Sequence, residues 1–152
     1  MEFNDLIIEP THKTPQINLN KLTGDLIFSG KSIPENAAKI YEPAFEWVRK
    51  YILKARPITN FRFSIEYYNT ASSLWIAKIL KALVSISDPD CTLIIHLYLP
   101  IEEYEEIQEF SDIKDAFFPL SDIFHSAILT IGIKLYGTDD QGKVIKEMLV
   151  YM

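Results

Sequence analysis

The stretch Tyr67-Tyr68-Asn69-Thr70-Ala71-Ser72-Ser73 sets several hydroxyl groups where an alternating segment gives way to a helical one. The first backbone N–H groups of a helix have no intrahelical partner, and the helix dipole is positive there. Two readings fit these residues. In one, Asn69 or Thr70 caps the helix, and Ser72 and Ser73 are ordinary first-turn residues. In the other, one hydroxyl accepts a phosphate, which gains from the dipole and adds about −1.5 to −2 charges to the surface.

Other residues capable of chemistry are scattered. Glu102, Glu103, Glu105, Glu106 and Glu109 could pair for acid–base work or bind a cation, but such a run is more simply a solvated helix face. His12, His96 and His125 lie far apart, and His96 sits in an apolar strand where a packed ring is expected. Cys91 reads as a small buried hydrophobe, because Asp88 and Asp90 beside it oppose the thiolate a nucleophile needs. The chain contains no H-E-x-x-H, C-x-x-C, G-x-S-x-G or G-x-x-x-x-G-K motif. No cofactor or metal is expected.

The elements that must position these groups follow from periodicity. Leu6-Ile7-Ile8 and Ile17-Asn18-Leu19 read as strands, with an irregular bend over Thr11–Pro15. Turn residues Lys21 to Asp25 then lead into a strand over Leu26–Gly30. Ser32 and Glu35 have capping-box spacing, with Pro34 in the first turn, and predict a helix with its stripe at Ala37, Ile40, Tyr41, Ala44, Phe45, Val48 and Ile52. Pro43 inside it predicts a kink. Phe61–Tyr67 alternates as a strand, and Ile76, Ile79, Leu80, Leu83 and Ile86 mark a second helix. Thr92–Leu99 reads as a strand covered on both faces. An acidic helix over 101–110, an interruption at Pro119, and a hairpin of Ala127–Tyr136 with Lys143–Tyr151 complete the chain.

Composition narrows the class. A chain of 152 residues, 48% hydrophobic and 24% charged, suits one globular domain. Fifteen basic against 21 acidic residues give a net charge of −6, which repels nucleic-acid backbones. No run is long enough for a membrane helix, and no secretory signal pattern opens the chain. With a single cysteine and no internal disulfide possible, the expected compartment is the cytoplasm.

Four segments carry a resemblance. Thr14-Pro15-Gln16-Ile17, Gly30-Lys31-Ser32-Ile33-Pro34-Glu35-Asn36-Ala37, Tyr41-Glu42-Pro43-Ala44-Phe45-Glu46-Trp47 and Tyr68-Asn69-Thr70-Ala71-Ser72-Ser73 resemble the bacterial SiaC-type regulatory phosphoproteins over roughly residues 6 to 110. The resemblance implies an α/β fold similar to anti-sigma-factor antagonist (STAS-like) domains, a single mixed sheet backed by helices. The regulatory part would span residues 1–125, with 126–152 a C-terminal hairpin added to the same sheet.

The resemblance also implies a non-enzymatic switch. Thr70 matches the family's phosphorylated threonine, modified by a kinase of the anti-sigma type and restored by a PP2C-type phosphatase. The unmodified form would bind and activate a diguanylate cyclase, linking the chain to cyclic-di-GMP and biofilm formation. Its partner surface would include Tyr68, Asn69, Ser72 and Ser73. Where this chain carries Ala71 and Leu74, the family favours a small hydroxyl residue and lysine. Two other classes remain open: a small-molecule site or small enzyme near Glu102–Glu109, Tyr67 and His96, and a homo-oligomeric scaffold joined through the strands after Ala127.

Overall fold

Strands β1 (Leu6–Ile8) and β2 (Gln16–Leu19) pair antiparallel, and β2 pairs antiparallel with β3 (Asp25–Ser32). The chain is described by a computed structural model over residues 3–107 and 124–151. In the bend before β2, Thr11 Oγ1 accepts the backbone N–H groups of Lys13 and Thr14. The turn into β3 requires Gly24. Its φ is +76°, and a Cβ there would stand 2.5 Å from the carbonyl oxygen of Ile58.

Helix α1 spans Ala37–Tyr51 and buries Tyr41, Ala44, Trp47, Val48 and Tyr51. It begins later than the Ser32–Glu35 spacing predicts. Ser32 is still the last residue of β3, paired with Tyr68, and the cap is Asn36, whose Oδ1 accepts the Lys39 N–H at 3.4 Å. The physical reason is that an N-cap is the last extended residue before the helix, and the chain spends residues 33–36 turning the corner. The helix runs on through the exposed Pro43 and closes with a 3-10 turn, Ile52–Lys54.

Strand β4 (Ile58–Tyr68) lies parallel to β3, and helix α2 (Thr70–Val84) leads to β5 (Thr92–Pro100), parallel to β4. Helix α3 covers Ile101–Glu106; Glu109, Phe110 and Pro119 lie outside the described residues. Strand β6 (Thr130–Thr138) is parallel to β5, and β7 (Val144–Tyr151) returns antiparallel as a hairpin. One seven-stranded mixed sheet results, in the order β1-β2-β3-β4-β5-β6-β7.

The core lies on one face of that sheet. Ile17, Leu19, Leu26, Phe28, Phe61, Leu93, Ile95, Ile131, Ile133 and Leu135 pack there with the apolar stripes of α1 and α2 and with Tyr104 of α3. The opposite face carries the register row Ile27, Arg62, His96, Lys134, Leu149, and its members lie outside that core cluster. Among the described residues no helix packs on that face of β5. Its alternate residues Ile94, His96 and Tyr98 are shielded by neighbouring side chains instead, with Tyr98 and Tyr136 stacked at 4.4 Å and 5°. Among the described residues no helix is long and apolar enough to cross a membrane.

Candidate functional site

Strands β3 and β4 end side by side, with Lys31 opposite Tyr67 and Ser32 opposite Tyr68. A single residue, Asn69, separates β4 from α2, so the first turn of α2 opens at the carboxyl ends of two parallel strands. Asn69 is extended (φ −86°, ψ 172°), and its Oδ1 accepts the Ser72 N–H at 2.9 Å. Its other bonds reach the β3–α1 corner. The backbone N–H donates to Ser32 O at 3.0 Å, and Nδ2 donates to Pro34 O at 3.1 Å.

Ser72 completes this junction from inside. Its Oγ donates to Ser32 O at 3.1 Å and accepts from Ser32 Oγ at 2.8 Å. With the Ser32 proton so engaged, the Tyr41 hydroxyl is the donor in its 2.5 Å bond to Ser32 Oγ. Tyr41, Ser32 and Ser72 are all fully buried. Burial raises the Tyr41 pKa above the usual phenol value, and its bonds to Ser32 and Ser72 offset part of that rise. A chain of three hydroxyls therefore ties α1, the end of β3 and the start of α2 together.

Thr70 differs from Ser72 in every respect that matters for modification. It is the first helical residue, it is exposed, and its hydroxyl bonds to no described residue. Ser73 is half-buried, and its Oγ donates to Thr70 O at 2.8 Å. Helix geometry leaves the N–H groups of Thr70 and Ala71 without intrahelical acceptors, so a phosphate at Thr70 would meet free donors and the positive end of the dipole.

Several large apolar side chains near Thr70 in the chain are exposed. Tyr67 (62% exposed) and Tyr68 (53%) precede it at the end of β4, Leu74 (61%) lies one helical turn along the same face, and Ile33 (43%) sits between Ser32 and Pro34, whose carbonyls accept from Asn69. Lys31 Nζ stands 5.8 Å above the Tyr67 ring, and Tyr68 meets Phe63 edge-on at 5.9 Å. Exposed large apolar side chains gathered beside a charge-accepting hydroxyl make a surface that a partner can cover and a phosphate can spoil.

Residues 8–123 match the profile of the family described as SiaC family regulatory phosphoprotein. The chain belongs to that family. SiaC of Pseudomonas aeruginosa is 25% identical over 71% of this chain and 94% of its own, with a TM-score of 0.58. Apo-SiaC from Pseudomonas aeruginosa superposes with a TM-score of 0.65 at 18% identity, over 86% of this chain and 98% of that one. A structure described as diguanylate cyclase SiaD in complex with its activator SiaC, from the same organism, gives 0.66 at 18% identity, over 87% and 100%. No curated protein matches the chain.

In this SiaC-family chain Tyr68, Asn69, Thr70 and Ser73 gather at the start of α2. Ser72, expected to touch a partner, faces inward, because one turn of helix carries it onto the buried side. Ile33 and Leu74 on the surface, and Ser32 and Tyr41 beneath it, escaped the sequence reading. The only signal for Ser32 was its place in a capping-box spacing, which pointed to a different role.

The residues of the alternative pocket do not converge. His96 is buried on the face opposite the described helices, with Nδ1 2.8 Å from the Tyr136 hydroxyl and Nε2 2.8 Å from Asn60 Oδ1. Burial, then the Arg62 and Lys134 cations, lower its pKa to about 4, so the ring is neutral. Glu105 instead binds Lys146 at 2.7 Å, Glu102 and Glu103 face solvent on α3, and Glu109 lies outside the described residues. Cys91 is buried, and burial together with Asp88 and Asp90 pushes its thiol pKa up. Among the described residues no group of three His, Cys, Asp or Glu side chains could hold a metal.

Proposed function

We propose that this chain is a non-enzymatic regulator switched by reversible phosphorylation of Thr70. Unmodified, it binds a diguanylate cyclase through Tyr68, Asn69, Ser73 and the apolar rim of Ile33, Tyr67 and Leu74. Thr70 is modified by a kinase of the anti-sigma type and restored by a PP2C-type phosphatase, both acting in the cytoplasm, and the output is cyclic-di-GMP and biofilm growth. The supporting observation is the division of labour in one helical turn. Thr70 is exposed and unbonded at the first helical position, while Ser72 is sealed in the hydroxyl chain. The solved complex of a SiaC with its cyclase SiaD supports a partner of that class.

The mechanism is electrostatic. A phosphate on Thr70 is favoured in the free protein by the helix dipole and the unpaired N–H groups. In the complex the same charge would be stripped of water against an apolar surface, which costs several kcal/mol if no cation pairs with it. Each 1.4 kcal/mol is about tenfold in affinity, so a micromolar complex is switched off.

The test uses immobilised protein as bait in an extract of its own cells and reads conversion of GTP to cyclic-di-GMP in the retained fraction. Thr70→Ala is expected to retain cyclase activity and Thr70→Glu to lose at least about tenfold of it. Equal retention on both baits, or none on either, would contradict the proposal.

A further inference from the structure

Strand β7 is a long edge strand of the described sheet. Eight residues, Val144–Tyr151, pair with β6 on one side and with no described strand on the other. Ile145, Leu149 and Tyr151 are 53%, 45% and 59% exposed. The opposite edge, β1, is only three residues long. Edge strands are normally guarded by charges that repel a pairing strand. Here both charges of β7 are drawn back into their own molecule. Lys146 Nζ lies 2.7 Å from Glu105 Oε1, and Glu147 Oε1 lies 3.5 Å from Lys134 Nζ.

We infer that β7 is the interface between two copies of this chain, paired antiparallel about a two-fold axis at Met148. A continuous sheet across such an axis pairs residues that share a face, so the axis must fall on a residue. At Lys146 or Glu147 it sets like charges opposite each other. At Val144 or Ile145 the pairing runs into the Asp139–Gly142 turn, where the Gly142 N–H donates to Asp139 O. At Leu149 or beyond, no more than the segment 147–151 overlaps. At Met148 the whole segment Ile145–Tyr151 pairs. Ile145 then meets Tyr151 of the second copy, a favourable β-branched–aromatic pair that occurs twice, and Glu147 meets Leu149 of the second copy.

The register makes an unusual demand on Leu149. Within its own copy this residue lies opposite Lys134, so Leu149→Glu adds an attraction to the monomer and Leu149→Lys a repulsion. Across the interface the signs reverse, because Leu149→Glu faces Glu147 of the second copy. Sedimentation equilibrium on the full chain is therefore expected to show a wild-type dimer. It should also show a dimer weakened at least about tenfold by Leu149→Glu and a dimer retained by Leu149→Lys. Thermal melts in the monomeric range should rank Leu149→Glu above Leu149→Lys, which separates lost association from lost folding. A wild-type monomer at every concentration, including one whose β7 edge is taken by an extended segment of another protein, would overturn the inference. So would a Leu149→Glu dimer as tight as wild type, or loss of the dimer in Leu149→Lys.

Discussion

Thr70, Ser72 and Ser73 occupy one turn of α2, and their surroundings give them different work. Ser72 is a structural hydroxyl, donor to Ser32 O and acceptor from Ser32 Oγ. Removing it leaves the Ser32 proton buried without its acceptor, which costs about 1–3 kcal/mol. Ser72→Ala is therefore expected to lower the unfolding free energy by that amount, read as a lower urea midpoint with an unchanged denaturant slope, and Thr70→Ala to leave stability within about 0.5 kcal/mol. The sequence placed Thr70 and Asn69 correctly at the strand–helix junction. It did not separate Ser72 from Thr70, since two residues apart on a helix is the difference between facing solvent and facing the core, and that depends on where the helix docks.

At the scale of elements, the junction between the β3–α1 corner and α2 is held by Asn69 as much as by Ser72. Its Oδ1 caps the helix and its Nδ2 reaches Pro34 O. Asn69→Ala loses both and is expected to cost about 1–2 kcal/mol. Asn69→Asp keeps the cap and loses only the Pro34 bond, so it should be the milder change by chemical denaturation. Strand β4 and helix α2 were legible because alternation ends and a 3.6-residue stripe begins within a few residues of Asn69. The cap of α1, Asn36, lies four residues beyond the Ser32 that the spacing predicts. Ser32 and Glu35 had capping-box spacing, but the strand pairing of Ser32 with Tyr68 overrides that local preference, and no local pattern reports a parallel partner.

At the scale of the molecule, the described helices line one face of the sheet, and on the other face the side chains around His96 pack on one another. The aliphatic run of β5 predicts cover on both faces, and on the face opposite the described helices Tyr98 stacks on Tyr136 beside the buried His96. The hairpin after Ala127 was legible from its alternation and turn residues; its parallel neighbour β5, distant in sequence, was not. The buried histidine has a consequence for the whole fold. Unfolded, it takes up a proton near pH 6.5, whereas folded it does so only at about 4. Between these values the unfolded chain binds more protons, so the contribution of neutral His96 is complete above about pH 6.5 and is lost as pH falls towards 4, at up to about 1.4 kcal/mol per pH unit. Urea melts at pH 7 and pH 5 should show this loss in the native chain and a smaller one in His96→Gln.

The switch itself is tested most directly by phosphopeptide mapping of the protein from its own cells, grown attached and in suspension. Thr70, Ser72 and Ser73 all fall in the tryptic peptide Phe63–Lys78. The expected result is a phosphate on Thr70 whose occupancy changes with growth mode, and none on Ser72. A fully covered peptide that carries no phosphate in either condition, or carries it on Ser72, would contradict the account.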